Sequence, residues 1–96
     1  MDKFSIEMYD NLFEAVLKLE TIEQARLFFE DVCTIKELDA ISQRIEVASM
    51  LKDGKNYQDV SRATGASTAT ISRVNKCLIY GKGGYELVFN DKKDAN

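Results

Sequence analysis

The sequence predicts an all-α protein, and three observations carry that prediction. Its 96 residues include no proline and only 5 glycines, so few positions interrupt a helix. Apolar residues recur at helical spacing in several stretches, and residues suited to helix N-caps precede those stretches. The length fits one domain, and a hydrophobic content of 45% supports a packed core.

The composition excludes several classes of protein. Histidine is absent, which removes the commonest general base at neutral pH and the commonest zinc ligand. Two cysteines, Cys33 and Cys77, are too few for a four-thiolate metal site or a disulfide framework. Without a nucleophile–base pair, metal cluster or carboxylate dyad, the sequence predicts neither an enzyme nor a metal or cofactor site. No apolar run approaches the ~20 residues of a membrane span and no signal-peptide pattern is present, so we expect a soluble cytoplasmic protein.

The charges are unevenly distributed along the chain. In total there are 13 basic and 16 acidic groups, a net charge of −3. Residues 1–43 hold 4 basic and 10 acidic groups, a net −6, whereas residues 56–82 hold 4 basic groups and 1 acidic group, a net +3. An acidic total argues against a polyanionic partner, but the clustered basic groups still allow one local positive surface. On charge alone, an ordinary solvated surface is the alternative interpretation.

Three helices are predicted in the first half of the chain. The first covers Ser5 to Leu19 and has apolar residues at i, i+3, i+4 and i+7. Thr21 with Gln24, and Thr34 with Glu37, have the spacing of capping boxes that begin the second and third helices. The first two helices carry apolar residues on more than one face. That excess is typical of a surface covered by a partner, and a compact monomeric core is the alternative interpretation.

The stretch from Asn56 to Leu78 predicts two helices joined by a sharp turn. Asn56 and Ser67 suit the two N-caps, and Gly65 suits a turn with positive φ. Gly54 suits the left-handed residue that ends the preceding long helix. Apolar residues fall at the inward positions of two steeply crossing helices, the arrangement of a helix-turn-helix, and they are Val60, Ala66, Ile71, Val74 and Leu78.

The outward side of the second helix carries short side chains and cations. Short groups near a helix N-terminus allow close approach to a groove, and the amides there attract phosphate. Arg73 can reach a guanine edge or a phosphate. The candidate DNA-binding residues are Ser67, Thr68, Ala69, Ser72, Arg73 and Lys76 at this helix, together with Gln58 and Arg62 of the helix before it.

Four motifs between Thr34 and Leu78 are shared with one known family. They are Thr34-x-x-Glu37-x-x-Ala40, Arg44-Ile-x-Val47, Leu51-x-x-Gly54 and Gly65-Ala-Ser-Thr-Ala-Thr-Ile-Ser-Arg73. Through them the chain resembles the Trp repressor (TrpR) superfamily, most closely its YerC/YecD branch of TrpR-related proteins. The resemblance implies an all-helical, intertwined homodimer whose two helix-turn-helix motifs face successive major grooves of double-stranded DNA.

The resemblance also implies a function and a division of the chain. The expected function is a transcription regulator, a repressor, that binds a palindromic site. Residues 1–33 form the dimerisation helices, residues 34–80 the long helix and the helix-turn-helix, and residues 81–96 a glycine hinge with a flexible or short helical tail. All three parts belong to a single domain.

Two departures from the family pattern concern ligands and contacts. Thr34, Arg44 and Arg73 match the corepressor pocket, but Val74 stands where the family has the glycine that packs against the indole. We therefore expect L-tryptophan not to bind, or to bind weakly. A different small-molecule effector, or no effector, is expected instead. Gln58 and a serine at position 61 replace basic residues, which lowers the expected DNA affinity. That loss and the acidic total favour the alternative function, a protein-interaction module of helix-turn-helix fold without sequence-specific DNA binding.

Overall fold

The computed structural model describes residues 3–89. Within that range the chain forms six helices and no strand, which confirms the predicted all-α class. The helices are α1 (Lys3–Val16), α2 (Ile22–Val32), α3 (Ile35–Lys52), α4 (Tyr57–Thr64), α5 (Thr68–Tyr80) and α6 (Gly84–Phe89). The last seven residues of the predicted tail, 90–96, lie outside the described residues.

Helix α1 ends at Val16, three residues before its predicted end at Leu19. The amide of Leu17 still bonds four residues back, but those of Lys18 and Leu19 bond three residues back, at 3.1 Å each. The backbone therefore tightens to a 3₁₀-like turn. It must leave the helix before Thr21, because the N-cap of α2 has extended backbone angles (φ −135°, ψ 161°).

One predicted capping box is complete, at α3, and the other, at α2, is present in part because its returning bond goes to the residue before the N-cap. The Thr21 hydroxyl accepts from the Gln24 amide at 3.0 Å, and the Gln24 side chain accepts from the Glu20 amide at 2.8 Å. At the start of α3 the exchange is reciprocal. The Thr34 hydroxyl accepts from the Glu37 amide at 3.1 Å, and the Glu37 carboxylate accepts from the Thr34 amide at 2.9 Å. These bonds satisfy amides that a helix start leaves unpaired.

The chain divides into two compact units, one ending at Leu38 and the other beginning at Asp39. In the first unit no described side chain is buried. Phe28 and Phe29 meet edge to face, with ring centroids 5.2 Å apart. Large apolar side chains nevertheless remain exposed in this unit, namely Ile6, Met8, Tyr9, Leu12, Phe13, Leu17, Ile22, Leu27, Val32 and Ile35.

The second unit has a core of its own. Gln43 Nε2 donates to the Thr64 carbonyl at 3.2 Å and so ties α3 to the end of α4. Gly54 ends α3 with φ 88°, and the Lys55 amide bonds back to the Met50 carbonyl at 3.1 Å, as in a Schellman motif. The core side chains are at most 2% exposed, and they are Val47, Ala48, Val60, Ala66, Ile71 and Val74.

Helix α6 packs on this core. Tyr85 and Phe89, one turn apart, lie against the buried cluster with parallel rings and centroids 6.2 Å apart. Between them, the Glu86 carboxylate accepts two hydrogen bonds from Lys52 Nζ, each 2.8 Å long. Within the described part of the tail, expected to be flexible or a short helix, residues 84–89 are helical and bond to the end of α3.

Candidate nucleic-acid interface

The turn between α4 and α5 is held by side chains on both of its flanks. Gly65 has φ 76°, a left-handed conformation that glycine adopts without steric cost. Ser61 Oγ donates to the Ala66 carbonyl at 2.9 Å. Thr64 Oγ1 donates to the Val60 carbonyl at 2.8 Å and accepts from the Ala66 amide at 3.1 Å. Three residues therefore connect the helices, and the side chains of Ser61 and Thr64 bond the backbone of the turn.

Helix α5 begins at a capped N-terminus. Ser67 Oγ accepts from the Thr70 amide and contacts the Thr70 hydroxyl, both at 3.2 Å. The inward side of the helix is formed by Ile71 and Val74, which are 0% and 1% exposed. The Ser67 hydroxyl is thus used as a cap, and the backbone amides of this first turn remain the groups that can meet an anion.

The outward side of α5 carries the residues predicted to contact DNA. Within the described part of the chain, Arg73 and Lys76 make no ion pair, so both cations face solvent. The exposed residues recur every three or four positions opposite the buried face, and they are Thr68, Ala69, Ser72, Arg73 and Lys76.

Helix α4 supplies the remaining predicted contacts. Asn56 caps it by accepting from the Asp59 amide at 2.9 Å, as expected. Gln58 is exposed, but Arg62 Nη1 donates to Asp59 Oδ1 at 3.1 Å. Residues of both helices meet at a polar cleft of about 420 Å³, which is lined by Tyr57, Gln58, Ser61, Arg62 and Thr68.

Two members of this surface were missed by the sequence analysis. Tyr57 lines the cleft, and no local pattern predicts that, because its neighbours come from two helices. Asp59 neutralises Arg62, and its signal was available in the sequence. Opposite charges three residues apart on one helix are neighbours on its surface.

The four residues of the expected effector pocket fall in different environments. Thr34 is the N-cap of α3, and its hydroxyl and amide both bond to Glu37. Arg44 is half-buried on α3, and Arg73 is exposed on α5. Val74 is part of the core, 1% exposed. The Val74 side chain therefore packs between helices.

An apolar groove is a second feature of the second unit. Its volume is about 450 Å³. The Cys77 thiol, on the flank of α5, is exposed there. The groove is lined by Ile45, Cys77, Gly81, Lys82, Gly84, Tyr85, Val88 and Phe89. The second unit thus offers one polar surface at the start of α5 and one apolar surface beyond its end.

Neither metal nor membrane features occur among residues 3–89. No group of three or more acidic or thiol side chains in that range is arranged to hold a metal ion. No helix there has the length and hydropathy that crossing a membrane requires.

Comparison with known proteins confirms the resemblance drawn from the motifs. The Trp repressor protein family matches residues 7–93. The uncharacterised protein YerC of Bacillus subtilis strain 168 is 45% identical over 95 residues, which are 99% of this chain and 91% of YerC.

Solved structures give the same result. A TrpR-like protein from Eubacterium eligens is 52% identical, with a TM-score of 0.84 over 88% of this chain and 87% of that one. A candidate Trp repressor from Staphylococcus aureus is 39% identical, with a TM-score of 0.85 over 100% of this chain and 97% of that one. The chain therefore belongs to the Trp repressor protein family, a family of regulatory proteins rather than enzymes.

Proposed function

We propose that this chain is a sequence-specific DNA-binding transcription regulator, a repressor, that binds a palindromic duplex site as a homodimer. The observation that best supports this function is the outward side of α5, opposite a buried face. It carries short side chains and two cations that have no ion-pair partner among residues 3–89. In this proposal α4 and α5 form the helix-turn-helix, and α5 enters the major groove. Repression follows from occupying the site and blocking polymerase, without any chemical step.

Each residue of the surface has a distinct part in this proposal. Thr68, Ala69 and Ser72 are short enough for the backbone of α5 to approach the base edges. Arg73 donates to a guanine edge or a phosphate, and Lys76 to a phosphate. Two further side chains and one backbone amide act from the flank. Gln58 pairs with an adenine edge, Arg62 contacts a phosphate, and the amide of Ser67 meets a phosphate at the start of α5.

The homodimer is supported by apolar surface that one chain leaves uncovered. The first unit buries none of its described side chains, and ten of its large apolar residues are exposed. The second unit carries the apolar groove beside α6. A second copy of the chain would cover these two apolar surfaces. A twofold dimer would place two copies of α5 about 34–36 Å apart, one duplex turn.

Selection from random duplexes tests the function directly. At ~0.1 M salt, where non-specific contacts are weakened, enriched duplexes should share a dyad-symmetric sequence. Recovery without any enriched sequence, together with a protein partner that co-purifies, would instead support the interaction module. The net charge of −3 and the neutralised Arg62 are the observations that favour this alternative.

Variants locate the contact on the selected duplex. Thr68→Ala together with Arg73→Ala should weaken binding about tenfold or more and leave the dimer intact, because both side chains are exposed. Lys36→Ala, in the acidic half, is the matched loss of one exposed cation and should change affinity little. Equal effects of the two changes would contradict the assignment of α5.

A further inference from the structure

We propose that Asp59 is a positioning residue that limits DNA affinity by pairing with Arg62 and so weakening the contact of Arg62 with the phosphate backbone. This inference rests on the proposed function and adds a role for a residue outside the predicted contact surface. Arg62 Nη1 and Asp59 Oδ1 are 3.1 Å apart on successive turns of α4. Asp59 is the one acidic residue of the segment 56–82, which includes the whole α4–α5 unit.

The pair lies at the border of the candidate interface. Arg62 lines the polar cleft together with Gln58 of the same helix and Thr68 of α5. The side chains of Arg62 and Asp59 are 74% and 48% exposed, so both charges are within reach of an approaching polyanion. Arg73 and Lys76, which also face solvent, have no acidic partner among the described residues. The cation on α4 is therefore paired with a carboxylate, whereas the two cations on α5 are available to contact the duplex.

Electrostatics gives this difference a measurable consequence. An exposed ion pair contributes little to folding, because water screens it well. Near a duplex the same carboxylate lies within a Debye length of several phosphates and repels them. A cation paired to a carboxylate also displaces fewer counterions than a free one. Asp59 thus weakens the phosphate contact of Arg62, whatever the DNA sequence.

A second ion pair, between Glu23 and Arg26 on α2, provides a matched control for the pair on α4. Glu23 lies in the first turn of α2, as Asp59 lies in the first turn of α4. Glu23 Oε1 accepts from Arg26 Nη1 at 2.7 Å, three residues along, and both side chains are exposed. Glu23→Gln and Asp59→Asn therefore remove the same charge from the same kind of pair. Of the two ion pairs, only that of Asp59 and Arg62 lies beside the proposed interface.

The experiment measures the affinity of the full chain for a random duplex and for the selected duplex over a series of salt concentrations. Asp59→Asn should raise both affinities by about threefold to tenfold at ~0.1 M salt. It should also steepen the dependence of log K on log salt by about 0.9 per protomer. Asp59→Glu keeps the charge and should behave as the unchanged protein. Thermal unfolding of each variant checks that α4 remains folded. The check is needed because Asn56 caps α4 by accepting from the backbone amide of residue 59.

Arg62→Ala tests whether the effect passes through Arg62. In that background Asp59→Asn should change affinity by much less, a non-additivity typical of residues in direct contact. An equal effect in both backgrounds, or equal effects of Asp59→Asn and Glu23→Gln, would overturn this proposal alone. Failure of every variant and of the unchanged protein to bind either duplex would overturn the proposed function as well.

Discussion

Residues 5–38 contain no buried side chain, whereas residues 39–89 contain six apolar side chains that are at most 2% exposed. The two regions differ in charge as well. The segment 1–43 has 4 basic against 10 acidic groups, and the segment 56–82 has 4 basic groups against 1 acidic group. The comparison indicates two tasks in one small fold. Under the proposed function, the second region keeps one helix exposed to DNA and the first is covered by a second copy of the chain.

The first region exposes ten large apolar side chains that a second chain would cover under the proposed function. Burying a side chain such as that of Phe13, 57% exposed, or Leu17, 82% exposed, stabilises a protein by roughly 1.5–3 kcal/mol when burial is complete. Exposed apolar patches of this kind mark interaction sites. We therefore expect the stability of the first region to depend on protein concentration, as it does when folding and association are coupled.

The largest effect is expected from emptying the core of the second region. Ile71→Ala should lower the free energy of unfolding by about 2–5 kcal/mol, because the deleted atoms leave a cavity among fully buried neighbours. Ile79→Ala is the matched control on the same helix, where the side chain is 61% exposed, and should cost about 0.5 kcal/mol or less. Urea unfolding measures both. Equal losses would mean that α5 does not bury the face assigned to it.

The next effect concerns the first region. Phe13→Asp places a charge on the apolar face of α1, and should shift the chain from dimer to monomer, because an unpaired charge is costly to bury. Asn11→Asp makes the same change in charge on the other side of α1, at an exposed polar residue. Sedimentation velocity should show a dimer for Asn11→Asp. A dimer for Phe13→Asp would show that α1 is not part of the interface. A monomer for the unchanged protein would contradict the proposed homodimer.

A smaller effect is expected where α6 meets α3. Lys52→Gln should cost about 1 kcal/mol or less, since the pair with Glu86 is only partly shielded from water, with side chains 20% and 42% exposed. Its signature is local, a faster hydrogen exchange of the α6 amides while those of α5 stay protected. Unchanged exchange in α6 would show that Tyr85 and Phe89 hold the helix without the ion pair.

No effect at all is expected from L-tryptophan. The family resemblance leaves room for the indole against a glycine, and Val74 occupies that position with a branched side chain, 1% exposed in the core. Titration calorimetry with the amino acid at up to ~1 mM should give no saturable heat. Micromolar binding would refute the argument from Val74 and reopen the pocket that includes Thr34, Arg44 and Arg73.

The parts of the fold that the sequence predicted are those with local signals. The caps at Thr34, Asn56 and Ser67 are recognisable because each bonds a residue three positions along. The left-handed Gly65 and the buried spacing of α5 are local in the same sense. For that reason the outward residues of α5 can be named from the amino-acid sequence alone.

The parts that the sequence did not predict depend on distant residues. Lys52 and Glu86 are 34 positions apart, and no periodicity relates them. The polar cleft brings Tyr57 of α4 beside Thr68 of α5, and no local pattern pairs those two residues. The predicted end of α1 is wrong because the apolar spacing continues to Leu19 while the backbone already tightens after Val16. Tertiary packing and competing turns override a local pattern in such places.

The most direct test of the account is the number of chains on the selected duplex and its dependence on both half-sites. The mass of the complex should correspond to two chains per duplex, and scrambling one half-site should weaken binding by about 100-fold or more, because one of two sets of base contacts is lost. One chain per duplex, or equal affinity for the intact and the half-scrambled duplex, would contradict the proposal that paired copies of α5 recognise DNA.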